Sequence, residues 1–298
     1  MISRRCPAVL SITALAVLVG GCPPHPKPMI PAPVPMHEAI RIVNDNVGEI
    51  TGTLRAIGSV DGRFTDSDGR SHSYHVDGVL FYLAPTYVRL DLKSFGDRQL
   101  LLGSNADRYW FYAKDQGYQC GRHRVEDELG ATMPIRPDQV IDALGLTRVP
   151  CTAPRAVEEG GSSTAGDPRG LNSAARDVRS GGVECVQRIV EKHQQILFLE
   201  RDRAGNVRLE KEYWLDRYWP RLIRRVVFRD GDGAVEMRSN LDDYRTLGRD
   251  GPLLPRVMAA EWPKNESSMR FRVSRWSLVE QIGPDAIQFA TPSECPQP

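Results

Sequence analysis

Residues 75–93 of the chain read HVDGVLFYLAPTYVRLDLK, and this stretch decides the fold. Over residues 87–93 apolar and charged residues alternate without a break, as they do in a strand with one face in the core and the other in water. The apolar face of this strand carries Val88, Leu90 and Leu92. Pro85 ends the preceding strand, because proline has no N–H to donate to a strand ladder. The stretch therefore predicts two neighbouring antiparallel strands of a sheet with one buried face.

Strands of the same kind follow one another along most of the chain. The strands predicted are 50–64, 71–83, 87–93, 99–102, 108–113, one resuming at Glu184, 194–200, 207–215, 222–228, 234–241 and a long one around Met269. In that last strand the apolar positions change from odd to even after Val273, which predicts a bulge near Arg275. Two short stretches, residues 37–47 and 137–144, have the spacing of amphipathic helices instead.

About ten antiparallel strands with one apolar face make a large curved sheet that must close on itself or be covered. Only two or three short helices are available to cover it. The fold class predicted is therefore mainly β, an incomplete antiparallel β-barrel whose helices lie over a hydrophobic cleft. A fully packed β-sandwich without a cavity is the alternative.

The N-terminus has the order of a secretory signal peptide. Arg4 and Arg5 precede an apolar run over residues 8–19, which at about a dozen residues is shorter than the roughly 20 needed to span a bilayer. The following Val19-Gly20-Gly21-Cys22 resembles the bacterial lipobox. That resemblance implies removal of residues 1–21 and attachment of a diacylglyceryl group to the Cys22 thiol. An ordinary signal peptide that ends near a cysteine is the alternative.

The residues after Cys22 are typical of a tether. Residues 23–36 read PPHPKPMIPAPVPM, and proline at this density favours an extended chain. Pro23 in the place next to the lipidated cysteine favours the outer membrane, facing the periplasm. One domain is expected over residues 37–295, interrupted at 154–182 by a polar insertion that is predicted to be disordered.

Charge excludes one class of partner. Removal of the signal peptide takes away Arg4 and Arg5, so that 37 basic residues stand against 38 acidic ones. A balance near zero argues against nucleic acid as a partner.

Four cysteines remain in the exported body: Cys120, Cys151, Cys185 and Cys295. In an oxidising compartment they allow two disulfides in three pairings. Pairing Cys120 with Cys151 would fasten the helix predicted at residues 137–144, and this pairing is our hypothesis. Zinc is the competing explanation, but none of the four belongs to a C-x-x-C pair, so no metal site is expected.

The details of the first strands resemble a known family. Gly78-Val79-Leu80-Phe81-Tyr82, followed by Pro85 and Arg89, is similar to a pattern of the LolA/LolB-like lipoprotein-carrier superfamily. The later segments Asp216-Arg217, Leu241–Tyr244, Leu254–Arg256 and Trp262-Pro263 are similar to its second half. The resemblance implies a half-barrel with a helical lid over a cleft that receives acyl chains, and a membrane-anchored member resembles the receptor more than the soluble carrier.

The resemblance and the strand pattern together give candidate site residues. The acyl-chain cleft is predicted to be lined by Leu80, Tyr82, Val88, Leu90, Leu92, Trp110, Leu209, Val226, Phe228 and Phe271. The turn after residue 93 places Phe95 where the receptor carries an exposed apolar residue that touches the membrane. Folding of Phe95 back over the barrel end is the alternative.

The function expected is binding of acyl chains of lipoproteins or lipids, with a periplasmic carrier protein as a candidate partner. A structural or stress-sensing envelope lipoprotein with a filled core is the alternative. The sequence has no G-x-S-x-G, H-E-x-x-H, phosphate-loop or dinucleotide motif, so neither enzymatic activity nor a cofactor is expected. The basic stretch 121–124 is either a site for a lipid phosphate or a solvated loop.

Overall fold

The computed structural model describes residues 29–65, 70–114, 116–123, 137–151, 183–201 and 205–295. These residues form thirteen strands and two α-helices. The helices are α1 (Met36–Gly48) and α2 (Pro137–Ala143). The strands are β1 (Thr53–Thr65), β2 (Ser71–Leu83), β3 (Tyr87–Ser94), β4 (Asp97–Ser104), β5 (Arg108–Ala113), β6 (Gly117–Arg122), β7 (Val183–Val190), β8 (His193–Arg201), β9 (Val207–Asp216), β10 (Ile223–Arg229), β11 (Val235–Thr246), β12 (Leu253–Trp262) and β13 (Ser267–Val279).

All thirteen strands belong to one antiparallel sheet in the order β6-β5-β4-β3-β2-β1-β13-β12-β11-β10-β9-β8-β7. The strands at its two ends, β6 and β7, are not paired with each other, so the sheet is open. Leu90 on β3 and Met237 on β11 nevertheless line the same small cavity. Four strands lie between them, which in a flat sheet would separate them by about 24 Å. The sheet is therefore strongly curved, and the predicted incomplete barrel is confirmed.

The helices cover the concave face because each has an apolar side. In α1 the residues at helical spacing, Ala39, Ile40, Val43 and Val47, are all buried. In α2 and the turn that follows it, Val140, Ile141, Ala143 and Leu144 are buried. The two helices predicted from the sequence are thus present, with bounds within a residue of those expected.

The predicted bulge near Arg275 is also present. Arg275 lies opposite Ile57 on β1 and Val273 lies opposite Gly58, so Ser274 is the extra residue. A side chain at position 58 would begin 2.0 Å from the carbonyl oxygen of Arg272. Only glycine allows β1 and β13 to approach this closely, and the bulge is where the apolar face of β13 changes from odd to even positions.

The thirteen strands exceed the eleven listed from the sequence, because β6 and β12 were not predicted. β12 contains Pro255 in the interior of the sheet, where proline is rarely found. The ladder between β11 and β12 has no pair at Asp243, whose φ is +49°, immediately before the Tyr244–Pro255 pair. This local irregularity accommodates the proline.

The four cysteines form two disulfides, but the hypothesis of a Cys120–Cys151 pair is wrong. Cys120 on β6 is bonded to Cys295, and Cys151 is bonded to Cys185 on β7. The Cα atoms are 5.7 Å and 5.9 Å apart, respectively. Cys120 points to the convex face of the sheet, where the C-terminal segment lies, and this separates it from the chain that follows α2.

Several predictions concern residues outside the described ranges. They are the signal peptide, Cys22 and the first part of the tether, Arg124, and the insertion at 154–182. Within the described ranges, no helix combines the length and the apolar character that crossing a bilayer would require.

Candidate functional site

The concave face of the sheet holds one continuous apolar cluster. Eight of the ten residues predicted for the cleft belong to it: Leu80, Tyr82, Val88, Leu90, Leu92, Val226, Phe228 and Phe271. They come from both halves of the sheet, and every one is at least nine-tenths buried. The alternation in β3 therefore identified the correct face of the sheet.

The prediction that Trp110 lines the cleft is wrong, because Trp110 lies on the convex face. It packs with Leu101 and Cys295 in a separate cluster beside the disulfide. In β5 it is the neighbouring Phe111 that joins the main cluster. The indole of Trp110 lies over Gly103, where a Cβ atom would be 2.3 Å from the ring. Leu209, near the start of β9, is only half-buried and does not belong to the main cluster either.

The centre of the concave face is filled by residues 137–149, which we call the plug. The plug consists of α2 and the extended residues after it, and it buries Val140, Ile141, Leu144 and Leu146 against the sheet. Helix α2 ends at Ala143, and the nearby Gly145 has a φ of +67° and donates its N–H to the carbonyl of Asp142. A left-handed glycine at this place turns the chain back across the apolar face.

Between the plug and the sheet there is a cavity of only about 20 Å³, roughly the room that one water molecule needs. Its lining is apolar and contains three methionines, Met237, Met258 and Met269, together with Trp262. The indole N–H of Trp262 is buried and has no acceptor among the described residues. Ligand pockets usually measure 300–1,000 Å³, so the concave face is closed by the plug in this structure.

An ion pair holds the plug to the second half of the sheet. Lys211 Nζ on β9 lies 2.5 Å from a carboxylate oxygen of Asp142 in α2, and both side chains are more than four-fifths buried. The other oxygen of Asp142 accepts a hydrogen bond from the Thr147 hydroxyl at 2.5 Å. The ammonium group also lies 5.1 to 5.7 Å from the centres of three aromatic rings, which favours a cation. Those rings are Phe198, Tyr213 and Phe228.

Hydrogen bonds from Tyr82, Ser239 and Asn44 also hold the backbone of the plug. The Tyr82 hydroxyl donates to the carbonyl of Leu146 at 3.1 Å, and the Ser239 hydroxyl donates to the carbonyl of Ala143 at 2.8 Å. Asn44 of α1 both donates to the carbonyl of Val149 and accepts from its N–H. Burial, together with the nearby charge of Asp142, raises the pKa of Tyr82 to about 12, so this hydroxyl stays a donor at any physiological pH.

Sequence reasoning missed Lys211 and Asp142. The signal for Lys211 was present, because Leu209, Lys211, Tyr213 and Leu215 alternate on the apolar face of β9 and only one of the four carries a charge. A charge within an apolar face needs a partner, and nothing in the sequence identified Asp142 as that partner.

Phe95 is fully exposed at the tip of the turn between β3 and β4. The alternative that it folds back over the barrel end is therefore wrong. Its φ is +50° and that of Gly96 is +92°, so both central residues of the turn have left-handed backbones. Such turns favour asparagine or glycine, and a bulky residue in this conformation is strained.

The charged face of β3 has a partly buried ion pair of its own, Asp91 with Arg98, to which Arg89 adds a third side chain. Asp91 accepts two hydrogen bonds of 3.0 Å from Arg98 and one of 3.3 Å from Arg89. Burial alone would raise the pKa of Asp91, but the two guanidinium groups outweigh it and lower that pKa below its usual value. The pair joins β3 to β4 directly behind the turn that presents Phe95.

Two histidines, one of them in the basic stretch 121–124, have structural partners. His123 of the basic stretch 121–124 lies 2.9 Å from the Ser104 hydroxyl. His75 lies 2.7 Å from a carboxylate oxygen of Asp61. The described part of the chain contains no group of three or more side chains placed to hold a metal ion.

No protein-family model and no curated protein matches the chain. Three solved structures are similar to it over most of its length. A DUF1329 family protein from Desulfovibrio piger is 8% identical, with 84% of this chain and 96% of that chain covered and a TM-score of 0.47. A putative outer membrane lipoprotein-sorting protein domain from Vibrio parahaemolyticus is 10% identical, with coverages of 83% and 94% and a TM-score of 0.44. A LolA superfamily protein from Nitrosomonas europaea is 9% identical, with coverages of 81% and 94% and a TM-score of 0.46.

Two of these three structures bear names of the class that the sequence resembles. At such low identities and scores the likeness carries no information about ligands or individual residues. The functional argument therefore depends on the chain's own side chains.

Proposed function

We propose that this protein is a lipid-anchored protein of the cell envelope that binds acyl chains on the concave face of its sheet when the plug moves aside. The observation that carries the proposal is the plug itself. A short helix occupies the centre of a large apolar surface and is held there by a few polar contacts, with methionines beneath it.

The plug depends on the sheet for its structure. Isolated helices shorter than about 12–15 residues are marginal in water, so the seven residues of α2 are stable only while they are packed. Its apolar side chains cover the same surface that an acyl chain would cover. Each buried methylene contributes about 0.8 kcal/mol, so a chain of a dozen methylenes is able to compete with the plug for this surface.

The residues that line the cavity are also suited to contact with an acyl chain in place of the plug. Methionine side chains are unbranched and adapt to surfaces of different shape. The unsatisfied indole N–H of Trp262 offers a donor to a carbonyl or carboxylate oxygen of a lipid. We propose attachment through a lipid on Cys22 and a position at the outer membrane facing the periplasm, with acyl chains received from a periplasmic carrier protein.

The test locks the plug. The Ser239 hydroxyl on β11 donates to the carbonyl of Ala143 in the plug at 2.8 Å. The double variant Ser239→Cys with Ala143→Cys therefore places one thiol on β11 and one on the plug. We expect the oxidised double variant to lose binding of a fluorescent fatty acid that the wild-type protein binds. Peptide mapping must first show the new disulfide beside the two native ones.

The single variant Ser239→Cys is the matched control, because it loses the same hydroxyl and leaves the plug free. It should bind the fatty acid at least as tightly as the wild type does. If the locked protein binds as well as the control, the fatty acid does not need the space under the plug and the proposal is wrong.

A second function is favoured by one observation, the small volume of the cavity. A concave face already filled by the protein's own side chains suits a structural or sensing lipoprotein without a ligand. Native mass spectrometry of the protein purified from cells separates the two functions. Co-purified lipid supports acyl-chain binding, whereas the bare mass together with no fatty-acid binding supports the structural function.

A further inference from the structure

The last residues of the tether are fastened to one end of the sheet. The carbonyl of Pro31 accepts a hydrogen bond from Arg217, and the carbonyl of Val34 accepts hydrogen bonds from Gln187 and Gln194 at 2.9 and 3.1 Å. These three side chains belong to β7, to β8 and to the turn after β9. The chain that comes from Cys22 therefore reaches the body at the turn between β9 and β10.

That same turn carries an exposed tryptophan. Trp219 is 79% exposed, although an indole ring is among the largest apolar groups that a protein can bury. Arg221 directly behind it has a φ of +60° and donates to the carbonyl of Ala32 at 3.5 Å, so this turn is joined to the N-terminal segment as well.

The surroundings of Trp219 are positively charged. Arg217, Arg221 and Lys192 lie in this turn and the adjacent β7–β8 turn, and no ion pair joins any of the three to a carboxylate within the described ranges. Of the nearby acidic residues, Asp216 is paired with Arg224 at 3.2 Å, and Glu191 alone is left to balance three cations.

An exposed indole among arginine and lysine side chains matches the chemistry of a bilayer interface. Tryptophan is enriched at the level of lipid headgroups, and basic side chains close to a membrane are attracted to its anionic lipids. The tether supplies the proximity, an argument that rests on the proposed lipid anchor at Cys22. Eight residues lie between Cys22 and Pro31, so Pro31, which is bound by Arg217 of this turn, is held within about 30 Å of the anchoring cysteine.

We infer that the turn carrying Trp219 docks on the interface of the anchoring bilayer, where the exposed Lys192 contacts anionic phosphates and the charges of Arg217 and Arg221, whose guanidinium groups hold backbone carbonyls of this end of the protein, add to the attraction. The turn that presents Phe95 joins the opposite ends of the strands, on the other half of the sheet. The resting protein therefore directs Phe95 away from the membrane surface that holds its anchor.

The experiment places the mature, lipidated protein in vesicles of phosphatidylethanolamine and phosphatidylglycerol whose acyl chains are brominated near the headgroup. Bromine quenches tryptophan fluorescence at short range, and the difference between the wild type and Trp219→Phe isolates the emission of Trp219. We expect at least twofold quenching of this component, and weaker quenching when phosphatidylcholine replaces phosphatidylglycerol.

Phe95→Trp in the Trp219→Phe background is the matched reporter, and its added emission should not be quenched. An unquenched Trp219 component on protein that floats with the vesicles overturns the inference and leaves the anchor intact. Quenching of the reporter at position 95 in place of Trp219 overturns it as well. Protein that does not float with the vesicles contradicts the anchor itself, and both proposals then fail.

Discussion

Lys211 Nζ lies 2.5 Å from a carboxylate oxygen of Asp142, next to three aromatic side chains on the concave face of the sheet. This pair is the only ion pair between the plug and the sheet among the described residues. Its two partners belong to parts of the chain 69 residues apart. Removing one partner would leave the other charge largely buried and unpaired, which is costly.

Asp142→Asn should therefore loosen the plug. The amide keeps a polar contact with Thr147 but leaves the ammonium group of Lys211 without a counter-charge. Because the plug and an acyl chain compete for one surface, a larger open fraction raises the apparent affinity. We expect the dissociation constant of a fluorescent fatty acid to fall about tenfold, equivalent to about 1.4 kcal/mol. Fluorescence titration measures this, and the melting temperature should fall in parallel.

Glu261→Gln is the control for Asp142→Asn, because Glu261 forms an ion pair with Arg238 that is about two-fifths exposed and does not touch the plug. It should change neither stability nor affinity by much, since exposed pairs contribute about 0–1 kcal/mol. An Asp142→Asn protein that is destabilised yet binds no better than Glu261→Gln would show that the ion pair has a structural role only.

Leu90→Trp tests how much room lies beneath the plug. Leu90 is 3% exposed and lines the cavity of about 20 Å³, which is too small for an added indole ring. We expect a loss of about 1–3 kcal/mol from overpacking, together with weaker fatty-acid binding because the ring occupies the site. Thermal denaturation and fluorescence titration measure the two effects.

Leu101→Trp overpacks the convex cluster instead, where Leu101 is 2% exposed and does not contact the plug. It should be destabilised to a similar degree without any change in binding. Equal binding losses in the two variants would mean that destabilisation alone weakens binding, and the concave site would lose its support.

The two disulfides should contribute unequally to stability. The Cys120–Cys295 bond spans 175 residues and the Cys151–Cys185 bond spans 34. On loop-closure entropy alone the losses on removal are about 5 and about 4 kcal/mol, respectively. Only the shorter bond adjoins the plug, so Cys151→Ser with Cys185→Ser should also speed fatty-acid binding. Calorimetry and stopped-flow fluorescence measure the two effects, and non-reducing peptide mapping that found Cys120 joined to Cys151 would contradict both.

The sequence was sufficient to identify which face of the sheet is buried, because strict alternation of apolar and charged residues assigns each side chain to one face. Leu90 and Phe271 were placed on the concave side from this pattern alone, and the bulge at Ser274 followed from a change of parity in β13. Trp110 was misplaced because aromatic size indicates burial and not the side of the sheet. In β5 both faces are apolar, so alternation gives no signal there.

Long-range pairing could not be obtained from the sequence. The contact of Asp142 with Lys211 and the bond of Cys120 to Cys295 both depend on how strongly the sheet curves, and no single strand encodes that curvature. The unpredicted strand β12 shows a related limit. Proline is unfavourable in an interior strand, so Pro255 gave no indication of β12. The irregular backbone at Asp243 that permits this proline forms only when β11 and β12 pair.

Acid should weaken the fold through Asp91. Its pKa is lowered in the folded state, so the stabilisation that it contributes is complete above the unfolded value of about 3.9 and is lost as the pH falls from there through the folded value. We expect Asp91→Asn to be less stable than the wild type at neutral pH and to show a flatter dependence on pH below about 4. Asp77→Asn on the same charged face, where Asp77 is exposed, should follow the wild-type curve. Urea denaturation at a series of pH values measures this, and parallel curves for Asp91→Asn and the wild type would contradict it.

Phe95→Asn should stabilise the protein and impair its function. The left-handed backbone at residue 95 suits asparagine, so relief of strain should contribute about 1 kcal/mol and raise the melting temperature by about 2–4 °C. A strained and fully exposed phenylalanine persists for a reason other than stability, and contact with a membrane or carrier during delivery of an acyl chain is our prediction for it. Transfer of a fluorescent fatty acid from the protein to acceptor vesicles should therefore slow severalfold. Phe95→Leu keeps the apolar tip and the strain, so it should retain both the wild-type melting temperature and most of the transfer rate. A Phe95→Asn protein that is more stable and transfers lipid at the wild-type rate would leave the exposed ring without a role in delivery.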